Sequence, residues 1–322
     1  MRISVLIATY NRAALLDECL EHLSRQPFAG GDEIIVVDNG SSDATPAVLE
    51  RRQQSFGIPL RHLDEWRPGK SVALARALAV ANGDVLVFID DDVNVDAKWL
   101  VAMREAMADR DVALAGGRVV PRWERRPPWW LKLHEGSGRL AAPLALLDYG
   151  SEVLSLGPRT ALGANMAVRH DVIRSVGGFA THLGKLRGTL LSGEDHELCQ
   201  RVQAAGFTAI YLPSAVVHHW VPANRARLTY CLRWFFWSGI TNAAIDANGV
   251  GREQVVLGIP RYLIRRSVAA LAAAPFLAIA GKTTHAIDRA IDLAFAVGYA
   301  VSRWGLVRIA PTPAASPAGQ PA

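Results

Sequence analysis

Three consecutive carboxylates, Asp90, Asp91 and Asp92, follow the apolar run at residues 85–89. Side by side they repel one another, so a positive charge is expected among them. Hard divalent cations prefer oxygen ligands, and carboxylates one or two residues apart suit Mg²⁺ or Mn²⁺. A cation held there would neutralise a diphosphate and so make it a good leaving group. The plain alternative is an acidic loop after a strand. Further on, Glu194 and Asp195 open a helical stretch in SGEDHEL, where carboxylates stabilise a helix start in any protein. His218 and His219 adjoin in VVHHWVP, either as a metal ligand or as ordinary core and surface residues.

Such groups act together only if the chain brings them to one place. Residues 3–8, 34–37 and 85–89 are short and almost wholly apolar, as parallel strands covered on both faces must be. Between the first two, Leu15, Leu16, Cys19, Leu20 and Leu23 recur at helical spacing. Between the second and third, Asp43 is placed to cap a helix running towards Arg52, and residues 71–81 are Ala-rich. This order predicts a doubly wound α/β sheet, in which ligands bind beyond the carboxyl ends of the strands. Polar residues stand at each of those ends: Thr9 to Arg12, then Asp38 to Gly40, then the three aspartates. Three strand ends feeding one crevice say more than any one of them.

Composition narrows the class. The chain has 322 residues, ample for a large core, with 50% hydrophobic and 20% charged residues. A net charge of +5 favours an anionic partner, but it is not gathered into the aromatic-studded patch of a nucleic-acid binder. Three scattered cysteines without CxxC spacing argue against a zinc site or a disulfide framework, and for a reducing compartment. The first apolar run stops at Thr9 and reads as a strand, not a signal peptide. No uncharged run reaches the roughly 20 residues of a bilayer span. A cytoplasmic protein, free or on a membrane face, is expected. Residues 121–130 (PRWERRPPWW) read as a loop.

The motifs SVLIATYNR, VVDNGSSD, FIDDDV, GANMAVR with VGGF, SGEDHEL with RVQAAGF, and YLPSAVVHHWVP occur in that order over residues 1–225. Taken together the set resembles a family 2 glycosyltransferase of the GT-A fold, the nucleotide-diphospho-sugar transferases of bacterial polysaccharide synthesis. The resemblance implies a Rossmann-like mixed sheet and an inverting, metal-dependent transfer. The implied donor is a nucleotide sugar, UDP-linked, and the acceptor a saccharide or a lipid-linked one. It implies that Thr9 and Arg12 approach the nucleotide and that Asp38 bonds the uracil ring. Asp90 and Asp92 match the DXD carboxylates, Asp92 nearer the metal and Asp90 nearer the ribose, with Asp91 able to replace either. His219 aligns better than His218 with the histidine that completes the Mn²⁺ or Mg²⁺ site. Asp195 matches the catalytic base, and Asn165 and Met166 fall in the loop resembling the sugar and acceptor wall. Trp129 and Trp130 are placed to stack on a sugar or simply to pack.

One departure stands out. Family members carry an Ala-Arg-Asn signature before the DXD strand, whereas PGKSVALARAL keeps Ala73 but has Leu74 and Ala75. Lys70, beside Gly69, is expected to take over the phosphate or uridine contact. Two rivals remain: a catalytically inactive nucleotide- or carbohydrate-binding relative, and a sugar nucleotidylyltransferase. The latter should carry a Gly-rich phosphate loop, which TYNRAALL lacks.

The organisation expected is a transferase domain at 1–225, a helical region at 226–310 and a disordered Pro/Ala-rich tail at 311–322. In the helical region, Arg261, Arg265 and Arg266 precede an apolar stretch. Later, Ile287, Ile291, Ala294, Phe295 and Val301 share one helical side, while Asp288, Arg289, Asp292 and Arg303 fall largely on another. This suits helices lying on an anionic membrane surface, or equally helices packed on the domain.

Overall fold

The expected Val- and Ile-rich strands form, each extended by the polar residue at its end. β1 (Ile3–Thr9), β2 (Glu33–Asp38), β3 (Leu60–Asp64) and β4 (Val85–Asp90) run parallel, laid out β3-β2-β1-β4. The computed structural model describes residues 1–131, 133, 138–246, 255–280 and 283–307. The expected disordered tail at 311–322 lies outside them. Three helices connect the strands: α1 (Ala13–Ser24), α2 (Thr45–Ser55) and α3 (Lys70–Leu78). Asp43 falls one residue short of the expected cap: Ala44 is the N-cap of α2, and Asp43 Oδ1 accepts from the Thr45 backbone N (3.0 Å) at the entry to the helix. β3 was not legible in the sequence, since LRHLD carries only two apolar residues and lies at the sheet edge.

The second half of the sheet is mixed. β5 (Val93–Val95) precedes α4 (Trp99–Ala108), β6 (Val112–Trp123) and the two-residue β7 (Leu154–Ser155). Then come β8 (Asn165–Arg169), α5 (His170–Val176), α6 (Glu194–Ala204) and the long β9 (Thr208–Val221). β8 lies antiparallel between β4 and β6, β9 runs parallel to β6, and β5 pairs antiparallel with β9. The loop expected from residue 121 therefore starts later, because Pro121 to Trp123 extend β6 beside β9. Proline is tolerated there: β8 covers the other side of β6 only at Leu114 to Gly116, so the missing N–H has no ladder partner to lose.

β9 bulges where Gly117 pairs with Leu212 but Arg118 pairs with Val216. A Cβ at Gly117 would sit 2.2 Å from Asn165 Nδ2 and 2.4 Å from the Ala215 carbonyl, so the position must be glycine.

Three helices complete the described fold: α7 (Leu228–Ile245), α8 (Arg261–Ile279) and α9 (Thr283–Arg303), with a small hairpin of β10 (Val255–Val256) and β11 (Ile259–Pro260). Cys231 and Phe235 of α7 and Ile287 and Ile291 of α9 join the main core. The α7–α9 crossing is close because both helices present glycine: a Cβ at Gly298 would lie 1.8 Å from the Phe236 carbonyl. Packing on the domain therefore accounts for α9, while α8 keeps Val268, Leu271 and Phe276 exposed. Asp292 departs from the expected polar outer face, being only 5% exposed.

Candidate active site

Parallel register sets the site. Thr9 pairs with Asp38, and Ala8 with Asp90, so three strands end side by side and their polar tips share one rim. The three aspartates there are all buried. The positive charge they require comes from the chain itself. Arg12, at the start of α1, donates through Nη1 to Asp91 Oδ1 (2.7 Å) and Asp92 Oδ2 (2.6 Å), and Thr9 Oγ1 donates to Asp91 Oδ2 (2.8 Å). Lys70 Nζ lies 2.5 Å from Asp90 Oδ1 and 3.7 Å from Glu194 Oε1. Burial alone would pull the Lys70 ammonium down, but Asp90 and Glu194 outweigh it and raise its pKa. Burial would raise Asp90 too, yet Lys70 and Lys185 hold it below the usual carboxylate range, while burial leaves Asp91 raised.

His219 is fully buried and faces this group, its Nε2 3.3 Å from Asp92 Oδ1. Strand alternation turns His218 to the other face of β9, where its Nε2 meets Asp96 Oδ1 at 2.8 Å. Ligand atoms of Asp90, Asp92 and His219 lie within 4.8 Å of one another. Asp92 Oδ1 and both ring nitrogens of His219 are buried without a hydrogen-bond partner. Buried polar atoms are rarely left so, and two carboxylates with an imidazole are a donor set that Mn²⁺ or Mg²⁺ accepts. The residues present fit such an ion.

Two cavities meet at this point. One, of about 380 Å³, is lined by Thr9, Tyr10, Arg12, Asn39, Lys70, Asp90, Asp91 and the loop Lys185 to Thr189. The other, of about 260 Å³, holds Asp195, with walls from Leu162, Ala164, the 3-10 turn Arg139–Leu144 and the α7 residues Tyr230, Trp234, Ser238 and Thr241. Lys70, Asp90 and Lys185 line both. Asp195 is fixed rather than merely capping: its Oδ2 accepts from Gly163 N (2.9 Å) and its Oδ1 from His196 N (2.8 Å). Glu194 beside it is buried against Lys70, and burial with the Asp195 charge raises its pKa.

Sequence reasoning placed Thr9, Arg12, Lys70, Asp90, Asp91, Asp92, Asp195 and His219 in one region, and the fold gathers them there. Asn165 is not brought to the cavity. It is fully buried, accepting from Trp99 Nε1 (2.8 Å) and donating to the carbonyls of Arg118 (2.9 Å) and Ala215 (2.8 Å). Met166 is likewise core, and Asp38 is buried with its Oδ1 accepting from Ser41 N at 2.9 Å. Asp38, His62 and Asp64 form a second group within 4.8 Å, though only Asp38 is buried. Trp129 is 73% exposed and outside both cavities.

Three cations went unrecognised. Lys185 is an exposed residue, but its ammonium is crowded by surrounding protein, and that loss of solvation together with Arg225 pulls it down to about 8. Arg187 donates through Nη2 to the Asn39 carbonyl (2.7 Å) and stacks 4.1 Å over the Tyr10 ring. Arg225 Nη2 lies 4.0 Å from Asp92 Oδ2. The signal for Lys185 and Arg187 was the basic KLR run before SGED, whose direction depends on loop shape, and Arg225 had none.

Residues 4–176 match the model of glycosyl transferase family 2. The chain is 30% identical over 254 residues to the succinoglycan biosynthesis protein ExoM of Rhizobium meliloti, covering 77% of this chain and 76% of that one. It is 25% identical over 260 residues to the glucosyl-dolichyl phosphate glucuronosyltransferase of Haloferax volcanii, covering 76% and 78%. Among solved structures, a mannosyltransferase of Pyrobaculum calidifontis, in complex with GDP-Man and Mn²⁺, superposes with a TM-score of 0.64 at 20% identity. That match spans 94% of this chain and 87% of the other, a likeness of fold.

Proposed function

The chain belongs to glycosyl transferase family 2, a glycosyltransferase of GT-A type, and from that premise we propose an inverting, metal-dependent transfer from a UDP-sugar. The acceptor in this reading is a saccharide or lipid-linked saccharide of a cell-surface polysaccharide. One observation carries the proposal: Asp90, a member of the carboxylate–histidine group, lines both of two adjoining cavities together with Lys70 and Lys185, and Asp195 lines one of them.

In this reading Asp90, Asp92 and His219 hold Mn²⁺ or Mg²⁺. When bound, that ion supplies charge neutralisation to the departing diphosphate. Arg12, Lys70 and Lys185 add fixed positive charge on the same side. Thr9 and Asp38 orient the nucleotide. Asp195 accepts the proton of the acceptor hydroxyl as that oxygen bonds to the sugar carbon from the face opposite the diphosphate. The bond to the diphosphate oxygen breaks with its electron pair, and the configuration at the carbon inverts. Gly163 N and His196 N aim the Asp195 carboxylate, leaving it lone pairs for the acceptor.

Residues 1–225 carry the chemistry in this reading, and α7, the first helix of the 226–310 region, closes the acceptor side by walling the Asp195 cavity. No described helix is long and apolar enough to cross a membrane. The exposed apolar face of α8, with Arg261 and Arg265 beside it, supports work on the cytoplasmic membrane face.

A thermal-shift screen of UDP, GDP and their sugars, with and without Mn²⁺, followed by NMR of the product's anomeric configuration, tests this. Mn²⁺-dependent stabilisation by UDP and an inverted product are expected. A preference for GDP would overturn the base assignment, and a retained configuration the mechanism.

A further inference from the structure

Away from the active centre, three guanidinium groups converge on one carboxylate where the 3-10 turn at Arg139, α8 and α9 meet. Arg266 Nη2 lies 2.6 Å and Arg139 Nη2 2.9 Å from Asp292 Oδ1, and Arg289 Nη1 lies 3.5 Å from Oδ2. Asp292 is buried, whereas the three arginine side chains are 38–50% exposed. Among the described residues no other carboxylate lies within ion-pair distance of the three. Three positive charges against one negative leave two uncompensated. Each guanidinium offers five N–H donors in a fixed fork, far more than two carboxylate oxygens can accept.

The surplus donors of Arg139 and Arg266 border open space. A cavity of about 320 Å³ is lined by Arg139, Arg266, Asp292, Tyr262, Trp234 and Phe235. Arg139 is held at its edge by stacking 5.5 Å over the Phe235 ring. Planar forks on a preset counter-charge, beside aromatic walls, form the arrangement that captures phosphate oxygens bidentately. Asp292 sets the positions of the arginines without cancelling their charge.

We propose that Arg139 and Arg266, gathered by Asp292 with Arg289 on its other oxygen, form a binding site for a phosphate group. Its surroundings point to a phosphate carried by an amphiphile: Trp234, Phe235 and Tyr262 wall the cavity, and Val268, Leu271 and Phe276, 62%, 63% and 73% exposed, follow further along the same helix, α8. The cavity also shares Ala142, Trp234 and Ser238 with the one holding Asp195, so a phosphate-bearing molecule seated here borders the acceptor side. None of the three arginines takes part in the transfer chemistry, so the site stands or falls apart from it.

The test uses the full chain, the double variant Arg139→Gln/Arg266→Gln, and a charge-matched control at two exposed arginines away from α8, Arg125→Gln/Arg126→Gln. Two probes separate the sources of phosphate: co-sedimentation with phosphatidylcholine vesicles with or without phosphatidylglycerol, and calorimetric titration with inorganic phosphate. Binding at any other site is common to all three proteins and cancels in the comparison. The cluster variant is expected to lose about tenfold or more in affinity for the anionic vesicles, with the control losing clearly less. A loss confined to inorganic phosphate would keep the site and make its ligand soluble. Equal losses in cluster and control variants would mean diffuse attraction and overturn the site, as would wild-type protein binding neither probe. If the double variant fails to fold, Arg266→Gln alone leaves Arg139 on Asp292 and gives the same comparison at smaller size.

Discussion

His219 Nε2 stands 3.3 Å from Asp92 Oδ1, brought there by the antiparallel pairing of Val93 with His219. Both groups are buried, and neither atom has a hydrogen-bond partner. Even so, the imidazole and its neighbours hold Asp92 well below the usual carboxylate range against the effect of burial. A carboxylate kept ionised beside an unsatisfied imidazole is ready for a cation.

The first prediction comes from that pair. In wild type, Mn²⁺ with UDP should raise the melting temperature, since saturating a site about a hundredfold above Kd contributes about 2.7 kcal/mol. Asp92→Asn and His219→Ala should each abolish the Mn²⁺-dependent part of the shift. Retention of that shift in both variants would remove the metal site from these residues.

Asp195→Asn keeps the size of the side chain and cannot take a proton. Turnover should fall by about 10²–10⁴-fold, while donor KM and the Mn²⁺-dependent shift stay near wild type. Glu194→Gln should keep measurable turnover, because Glu194 is buried and a neutral amide suits that setting. A dead Glu194→Gln beside an active Asp195→Asn would reverse the assignment.

Lys185 is the pH-sensitive group. Its ammonium is pulled down to about 8 because crowding by protein atoms, which strips solvent from it, and the charge of Arg225 disfavour the charged form. The depressed value means the neutral amine appears as pH rises through 8, where an ordinary lysine is still almost wholly protonated. Amine-reactive labelling at pH 8, read by mass spectrometry, should therefore find Lys185 roughly a hundredfold more neutral than a solvated lysine. UDP should protect it by restoring the charge. Labelling of Lys185 that rises only near pH 10 would refute this.

Asn165 should matter to stability rather than to substrate. Asn165→Ala strands the Trp99 Nε1 donor and two carbonyls, at about 1–3 kcal/mol for each group left buried without a partner. Urea unfolding should register the loss, with donor KM unchanged in the folded fraction. An unchanged midpoint with a raised KM would put Asn165 against the sugar instead.

Much of this was legible in the chain alone. Apolar runs with no polar alternation specify strands buried on both faces, and the residues that end such a strand lie at the sheet's carboxyl edge. That placed Thr9, Asp38 and Asp90 to Asp92 on one rim from short-range pattern, and Gly193 before Glu194 and Asp195 marked the start of α6. Packing decided the rest. Which of two adjacent histidines faces inward depends on the register of β9, set by a bulge opposite Gly117 that no local pattern announces. The family resemblance put Asn165 at the sugar and acceptor wall, but the core took its amide to satisfy three buried groups. Lys185, Arg225 and the arginines around Asp292 are ordinary charges in sequence. Their meaning comes from distances across the chain, because a charge acts on whatever lies a few ångströms away and not on its neighbours in order.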